Sequence, residues 1–420
     1  MLNRDNVREL AYVIKVDAIE PIAGKDRVEA AVIGGWRTMV RKNLFKPGDL
    51  GIYIEIDSKA PETEPFEFLA KYHYKVKTQK FKDFYSQGLL MHPSDFGWHD
   101  SFAFDFNGKE KNGRGIEDDK GIMHYANDES RFLTKQLGIT YAIADDNKRK
   151  ASSADKYKKM AQRHPELFKK KPFRWLMKRN WGKKLLFLFF GKAKDKDTSW
   201  PDWVKKTDEE RCQNMPWLFE DPVWHDEDWI ATEKIDGTST TFTLKRGHGL
   251  KKNDYRICSR NVCFDKPDKQ CYYETNVYIE MSERYHIEKI LTNLLNEDKN
   301  LEYVTIQGET YGDGIQKRTY SVPNGFHAFM AFNLIYGYKD GARRCNPIEM
   351  TNVLFPLGVP CVPIISELYR LPLNCDTLLL QATGESALDK ELREGIVFRD
   401  RRGEKSFKAV SNKFLTEYHG

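Results

Sequence analysis

Short apolar runs separated by turn residues dominate the first hundred positions of the chain. The runs are rich in β-branched, aromatic and aliphatic residues, as in YVIKVDAIEPI, VEAAVIGGWRTMV, GDLGIYIEID and SQGLLMH. Gly34-Gly35 and Pro47-Gly48-Asp49 lie between such runs and indicate turns. The pattern predicts about five short strands, which is typical of a small Greek-key barrel such as the OB-fold. We therefore predict an OB-fold-like, nucleic-acid-binding domain over residues 1–125.

The following stretch, residues 126–200, is polar and lacks a regular apolar pattern, so we predict a basic linker or insertion there. Residues 148–199 hold 18 Lys and Arg against four Asp and Glu. Two interpretations stay open. Such a run is often a solvated linker or helix face, but Phe168, Phe173, Trp175 and Trp181 lie among the cations and favour a surface that contacts a phosphate backbone.

Strand-like runs recur from residue 201 to the C-terminus, among them IATEKI, TTFTLK, YVTIQGETYG, FHAFMAFNLIYG and EGIVFRD. Apolar residues at helical spacing predict one helix between them, over Val277–Asn296. Strands mixed with few helices indicate an α+β domain built on antiparallel sheets. We assign residues 201–420 to this domain.

Composition excludes several classes of protein. The 420 residues are 40% apolar with a net charge of +6, which suits two or three domains. The seven cysteines form no Cys-x-x-Cys pair, so we interpret them as free thiols of an intracellular protein, cytoplasmic or, in a eukaryote, nuclear. The longest apolar run, Leu185–Phe190, is too short to cross a bilayer, and the N-terminus lacks the apolar part of a secretion signal. We expect a monomer with no membrane partner.

The stretch ATEKIDGT, residues 231–238, carries the first candidate chemistry. One interpretation is an ordinary hairpin, since Asp-Gly is a common turn dipeptide. The other is a lysine nucleophile, Lys234, beside a metal-binding aspartate, Asp236, and a glycine that lets a nucleotide approach the backbone. Further candidate groups follow along the chain, in the order Ser259-Arg260-Asn261, Gly308-Glu309, Phe329–Asn333, Glu394–Val397 and Ser406-Phe407-Lys408. Each of these has an ordinary structural explanation alone, but together they contain the parts needed to hold a nucleotide and transfer its α-phosphoryl group to a lysine.

The set resembles the covalent nucleotidyltransferase superfamily of polynucleotide ligases and mRNA capping enzymes. EKIDG is similar to motif I, CSRN to motif Ia, QGE to motif III, FMAFNL to motif IIIa, REGIVFR to motif IV and SFKAVS to motif V. DNA ligases and capping enzymes place an OB domain after motif V, whereas here 12 residues follow Lys408 and the barrel-like segment comes first. With KTDEERCQN before the nucleophile, this order resembles the two-domain ATP-dependent RNA ligases of the Deinococcus and Naegleria type.

The resemblance implies a role for each candidate residue. Lys234 would accept AMP from ATP, and Lys408 would contact the α-phosphate. Mg²⁺ or Mn²⁺ would be held by the carboxylates, and further side chains would bind the nucleotide. The implied metal ligands are Asp236, Glu309 and Glu394, and the implied nucleotide contacts are Glu233 at the adenine edge, Phe332 stacked on the base, Arg260 at ribose or 5′-phosphate, Glu309, Glu394, Lys405 and Arg211. Because an ordinary lysine is protonated at neutral pH, we expect nearby cations to depress the pKa of Lys234.

The implied reaction joins a 3′-hydroxyl to a 5′-phosphate in RNA, at nicks or paired ends, through lysyl-AMP and RNA-adenylate. The barrel would hold the strand on the 3′-hydroxyl side. Two alternatives remain: a DNA ligase or guanylyltransferase of the same superfamily, and a nucleic-acid-binding protein with an inactive transferase domain.

Overall fold

The computed structural model of the chain describes residues 1–142, without 4, 6, 82, 83 and 105–109, and residues 200–418, without 207, 250 and 265–275. Between these ranges it describes five positions, which are 173, 175, 176, 179 and 186. Apart from these five, the predicted basic segment 148–199 lies outside the described residues. Within the described parts of the chain, no helix is long and apolar enough to cross a membrane.

The N-terminal domain consists of short antiparallel strands. They are β1 Ala11–Lys15, β2 Ala18–Pro21, β3 Val28–Ile33, β4 Trp36–Arg41, β5 Leu50–Ile54, β6 Ser58–Lys59, β7 Lys75–Val76, β8 Gln79–Phe81, β9 Phe84–Ser86, β10 Leu89–Met91, β11 His99–Phe104, β12 Glu110–Glu117, β13 Met123–His124 and β14 Thr140–Tyr141. They form the sheets β1-β5-β10, β2-β3-β4, β14-β6-β7 and β11-β12-β13 and the pair β8-β9. The number of short strands exceeds the predicted five, but the all-β character is as expected.

Strand β5 lies at the centre of this domain because both of its faces are buried. Leu50, Ile52 and Ile54 pack into one apolar cluster, and the alternate residue Tyr53 packs into a second. Successive side chains of a strand point to opposite faces, so one strand can serve two cores.

The core of the N-terminal domain continues beyond the predicted boundary at residue 125. Leu133 and Ile139 are buried in the same cluster as β5, and β14 pairs with β6. The Leu133 N–H donates to the carbonyl of Ala11 at 2.8 Å. Residues 126–142 thus belong to this domain rather than to a linker, because their few apolar residues close its core.

The C-terminal domain contains two antiparallel sheets. Its strands are β15 Trp229–Lys234, β16 Thr238–Lys245, β17 Asp254–Cys258, β18 Cys263–Phe264, β19 Tyr303–Gly312, β20 His327–Tyr338, β21 Gly341–Arg344, β22 Ile364–Tyr369, β23 Gly395–Asp400 and β24 Ser406–Val410. One sheet has the order β22-β15-β23-β24, and the other has the order β18-β17-β16-β19-β20-β21. This architecture confirms the predicted α+β class with antiparallel sheets.

Helices cover the six-stranded sheet and fill the connections. They are α1 Pro222–His225, α2 Val277–Arg284, α3 Ile287–Glu297, α4 Pro347–Leu354, α5 Cys375–Ala382 and α6 Asn412–Tyr418. Short 3₁₀ turns span Glu67–Tyr72, Pro93–Phe96, Glu129–Arg131, Cys212–Asn214, Pro216–Leu218 and Phe355–Leu357. The single helix predicted over Val277–Asn296 is wrong, because His286 adopts a left-handed conformation with φ of 50° and separates α2 from α3.

The two domains contact each other through the β3–β4 hairpin and the segment before α1. Gly34 and Gly35 both have positive φ, as a tight two-residue hairpin requires. A Cβ on Gly35 would lie 2.7 Å from the Sγ atom of Cys375 on α5, so this glycine also permits close packing between the domains. The Arg211 guanidinium lies over the ring of Trp36, 5.7 Å from its centroid.

Candidate active site

The turn between β15 and β16 joins the two sheets of the C-terminal domain and carries Lys234 into the cleft between them. Lys234 is the last residue of β15, and Gly237 immediately precedes β16. The Asp236 N–H donates to Tyr320 Oη at 2.7 Å, which holds the turn from within. A Cβ on Gly237 would lie 2.3 Å from the Thr310 carbonyl oxygen, so only glycine fits here.

The Lys234 amine donates to Glu394 Oε2 at 2.7 Å, and its side chain is 24% exposed. Glu394 directly precedes β23, whose first residue, Gly395, pairs with Lys234. Burial favours the neutral amine, but Glu394, Glu309 and Asp236 outweigh this effect and raise the pKa of Lys234 above its usual value. Our expectation that cations depress this pKa is therefore wrong for the protein's own side chains, because carboxylates are the nearest charges.

The carboxylates around Lys234 also affect one another's pKa values. Burial, together with Glu394 and Asp236, raises the pKa of Glu309 to about 8, although Lys234 opposes the shift. Within the described ranges, no group of three His, Cys, Asp or Glu side chains is arranged to hold a metal ion. Asp236, Glu309 and Glu394 thus form no complete protein-only metal site, since Lys234 already engages Glu394.

A cavity of about 350 Å³ opens beside Lys234. Glu233 and Phe332 line one part of it, as predicted, together with Val362. Glu233 is buried, and its Oε2 atom accepts a hydrogen bond from the Ala387 N–H at 2.8 Å. Its Oε1 atom is buried without a hydrogen-bond partner among the described residues, and burial raises the pKa of this carboxyl. This part of the cavity therefore offers an apolar wall with one unsatisfied acceptor.

Two cations line another part of the cavity and share one carboxylate. Lys408 Nζ lies 3.0 Å from Asp208 Oδ1, and Arg260 Nη2 lies 2.8 Å from Asp208 Oδ2. Burial lowers the pKa of Lys408, and Lys234 and Arg211 add to the shift while Asp208 opposes it. Burial alone would raise the pKa of Asp208, but Lys408 and Arg260 hold it below its usual value. Of the predicted residues, the cavity wall thus gathers Glu233, Lys234, Arg260, Glu309, Phe332 and Lys408.

Four predicted residues do not line the cavity: Asp236, Glu394, Lys405 and Arg211. Of these, Glu394 contacts Lys234. Lys405 Nζ donates to the Val223 carbonyl oxygen at 2.9 Å and lies 3.0 Å from Glu227, so the structure does not bring it to the cavity. Lys405 lies in the connection between β23 and β24, directly before the first residue of β24. Arg211 lies at the domain contact over Trp36, rather than in the cavity as predicted.

Sequence reasoning missed three charged residues that line the cavity: Asp208, Glu209 and Arg399. Arg399 is buried and binds Glu209 through Nη2 at 2.8 Å, while its Nε and Nη1 atoms have no hydrogen-bond partner among the described residues. One signal was available, because Arg399 lies two positions after Val397 on β23, and this spacing places it on the face that carries Val397.

Comparison with known proteins identifies the two parts of the chain. A family model described as RNA ligase matches residues 227–410. This part of the chain is similar to the RNA ligase family. A model of an OB-fold domain matches residues 10–93. The two matches confirm the resemblance to RNA ligases and the predicted N-terminal OB-fold. No curated protein matches the chain significantly.

Solved structures match both domains of the chain together. A Naegleria gruberi RNA ligase mutant with AMP and manganese is 23% identical, with a TM-score of 0.61 over 98% of this chain and 99% of that chain. Another mutant with ATP and manganese is 23% identical, with a TM-score of 0.58 over 98% of both chains. The same enzyme with pyrophosphate gives 23% identity and a TM-score of 0.59 over 98% and 99%. The likeness extends over the OB-fold domain and the ligase domain, in this order.

Proposed function

We propose that the chain is an ATP-dependent RNA ligase that uses Lys234 as its nucleophile. The observation that carries the proposal is the Lys234 amine at the wall of a cavity, with Glu394 at 2.7 Å and two further cations, Lys408 and Arg260, on the same wall. The RNA ligase family match of the surrounding domain supports RNA as the partner. The Naegleria enzyme, crystallised with ATP and with AMP, supports adenylate as the transferred group.

In the first step, the Lys234 amine attacks the α-phosphorus of ATP. A P–N bond forms, the P–O bond to the β-phosphate breaks, and pyrophosphate leaves with the electron pair. Lys234 must lose a proton beforehand, and Glu394 Oε2 lies at hydrogen-bond distance to receive it. Glu394 is therefore placed to act on the nucleophile directly.

The residues around Lys234 fit a divalent cation as a partial site. Their donors are carboxylate oxygens, and the raised pKa of Glu309 reflects its burial together with the neighbouring carboxylates Glu394 and Asp236. Mg²⁺ commonly binds through one or two carboxylates, with water and substrate phosphates completing its shell. A bound Mg²⁺ or Mn²⁺ would supply positive charge that lowers the Lys234 pKa and stabilises charge on the phosphate. Glu309 and Asp236 are the side chains that would hold it.

The adenine base fits the apolar end of the cavity. Phe332 is half-buried and supplies a ring face, and the unsatisfied Glu233 Oε1 can accept from the exocyclic amine of adenine. Guanine presents a carbonyl oxygen at that position and would face the carboxylate with an acceptor. This contrast favours ATP over GTP.

Spacing in the solved relative supports these assignments. In the Naegleria gruberi structures, a lysine and an aspartate two positions apart were substituted. Two glutamates 85 positions apart were also substituted, as was a lysine 14 positions after the second glutamate. Lys234 and Asp236 have the first separation, Glu309 and Glu394 the second, and Glu394 and Lys408 the third.

In the later steps, AMP would pass from Lys234 to the 5′-phosphate of RNA, and a 3′-hydroxyl would then displace AMP to form the phosphodiester bond. Lys408 and Arg260 are the cations available to bind these phosphates. We place the 3′-hydroxyl strand on the OB-fold domain and propose nicked or paired RNA as the substrate of a monomeric, intracellular enzyme. The free cysteines of the described ranges agree with a reducing compartment.

The test is intact-mass analysis after incubation with ATP and Mg²⁺ or Mn²⁺. We expect the wild type to gain one AMP, Lys234→Ala to gain none, and Lys245→Ala, a lysine on β16 outside the cavity, to behave as the wild type. Labelling by GTP alone would instead favour a guanylyltransferase. No mass gain with any nucleotide would reject the proposal and favour an inactive nucleic-acid-binding relative.

A further inference from the structure

Asp208 holds two cations of the cavity wall at once. Its two carboxylate oxygens bind different partners, Lys408 at 3.0 Å and Arg260 at 2.8 Å. Lys408 and Arg260 are 52 or more positions away from Asp208 along the chain, so the three residues meet only in the folded domain. A carboxylate that bridges two N–H donors presents negative charge and a pair of acceptor oxygens, as a phosphate group does.

The backbone next to Asp208 is fixed without help from its side chain. The Lys408 N–H donates to the Glu210 carbonyl at 2.8 Å, and Arg211 forms a parallel bridge with Lys408. Glu209 binds the buried Arg399 at 2.8 Å. The Asp208 side chain, by contrast, is 61% exposed and can rotate away while the segment stays in place.

We propose that Asp208 is an internal substitute for phosphate, bound to Lys408 and Arg260 in the empty site and displaced when a phosphate group binds there. The inference rests on the proposed function, which assigns these two cations to phosphate. One set of N–H donors cannot bind the carboxylate and a phosphate in the same positions, so the two anions compete. In the empty site Asp208 neutralises cations that would otherwise repel one another, since Lys234 and Arg211 also act on Lys408.

A molecule in which Asp208 occupies the two cations cannot bind phosphate there. The apparent affinity for phosphate is therefore the intrinsic affinity multiplied by the fraction of molecules in which Asp208 has left the cations. The pair with Arg260 is solvent-exposed, and in the pair with Lys408 the Asp208 side chain is exposed while the Lys408 side chain is 18% exposed. Ion pairs with an exposed partner are individually weak. Removal of the charge should therefore tighten phosphate binding by about three- to tenfold. The gain should shrink as ionic strength rises, because salt screens exposed charges.

The experiment compares pyrophosphate binding by calorimetry, with no nucleotide present, in the wild type, Asp208→Asn, Asp208→Ala and Asp208→Glu. We expect Asp208→Asn and Asp208→Ala to bind pyrophosphate three- to tenfold more tightly and Asp208→Glu to stay near the wild type. In lysyl-AMP formation, KM for ATP should fall by the same factor in Asp208→Asn while kcat changes less than twofold. Asp202→Asn, which removes one charge from an exposed position of the same segment, is the control and should change neither constant.

A second arm identifies which phosphate displaces Asp208. Binding of a 5′-phosphorylated RNA oligonucleotide is compared with that of the same strand ending in a 5′-hydroxyl. A gain in Asp208→Asn that is confined to the phosphorylated strand assigns the RNA end, and a gain confined to pyrophosphate and ATP assigns the nucleotide.

The inference would be overturned if Asp208→Asn and Asp208→Ala bound pyrophosphate and the phosphorylated strand as tightly as the wild type or more weakly. This holds for variants whose melting temperature equals that of the wild type. A loss of kcat at constant KM would also overturn the inference, because Asp208 would then orient the two cations during the reaction. Pyrophosphate binding requires no chemistry at Lys234. A tighter complex in Asp208→Asn, found in a chain that forms no lysyl-AMP, would therefore keep this inference and reject the proposed function.

Discussion

Each domain contains a carboxylate with a shifted pKa, and the two pKa values are shifted in opposite directions. In the N-terminal domain, Asp118 accepts hydrogen bonds from the N–H groups of Lys120 and Ile122 through Oδ1, while its Oδ2 atom meets His124 and Gln136. Burial would raise its pKa, but these hydrogen bonds outweigh burial and lower the pKa to about 2. In the C-terminal cleft, burial and two other carboxylates raise the pKa of Glu309 to about 8.

The difference separates a carboxylate whose charge is satisfied by the fold from one whose charge is not, and we propose that the second, Glu309, binds a ligand. Asp118 has four donors for two oxygens, so its negative charge is satisfied by the fold itself. Glu309 shares one lysine with Glu394 and Asp236, so negative charge exceeds positive charge. Perturbation of this kind is typical of functional sites, where stability is lost in exchange for reactivity.

The largest expected effect is on the chemistry of the cleft. Glu309→Gln should slow lysyl-AMP formation by about 100-fold, since a charged group that stabilises the reacting phosphate through a cation is lost. The unfolding free energy should stay constant or rise slightly, because one carboxylate is removed from a crowded group. Rapid-quench assays and urea titrations measure the two quantities.

The control for this prediction is Glu283→Gln, at the end of α2 and outside the cavity. A strong loss of stability in Glu309→Gln would contradict the difference between the two carboxylates, since Glu309 would then stabilise the fold as Asp118 does.

The second prediction concerns Asp118→Asn, whose amide would place a donor toward His124 and Gln136 where an acceptor is required. The unfolding free energy should fall by about 1–3 kcal/mol because buried partners lose their hydrogen bonds. Lysyl-AMP formation per folded molecule should stay within twofold. Asp119→Asn, a neighbouring exposed aspartate, serves as the control, and an equal loss in that variant would contradict the role of the hydrogen-bonded centre.

The smallest effect is a dependence on pH. A carboxyl whose pKa is lower in the folded state than in the unfolded state stabilises the fold above the unfolded value, near 4, and the contribution is lost as pH falls toward 2. The stability difference between the wild type and Asp118→Asn should therefore be constant from pH 5 to 7 and shrink below about pH 4. Denaturant titrations at several pH values would reveal a constant difference instead if the charge of Asp118 were unimportant.

Several site residues could be predicted because their roles depend on local geometry. Lys234, Asp236 and Gly237 belong to one strand–turn–strand unit, and the turn alone brings them together. Glu394 directly precedes β23, and Lys408 on β24 pairs with Val397 of β23, so the pairing of neighbouring strands keeps Glu394 and Lys408 near each other. The position of Lys405 could not be predicted in this way, because its partner Glu227 lies 178 positions away along the chain.

The sequence by itself determined the order of the domains, their richness in strands and the candidate nucleophile, because these follow from neighbouring residues and spacing. Only the tertiary structure decided the charges that act on them. The bridge from Asp208 to Lys408 joins residues 200 positions apart, and Arg211 meets Trp36 across the domain contact. Electrostatic effects depend on distance in space and on burial, and neither can be read from positions along a chain.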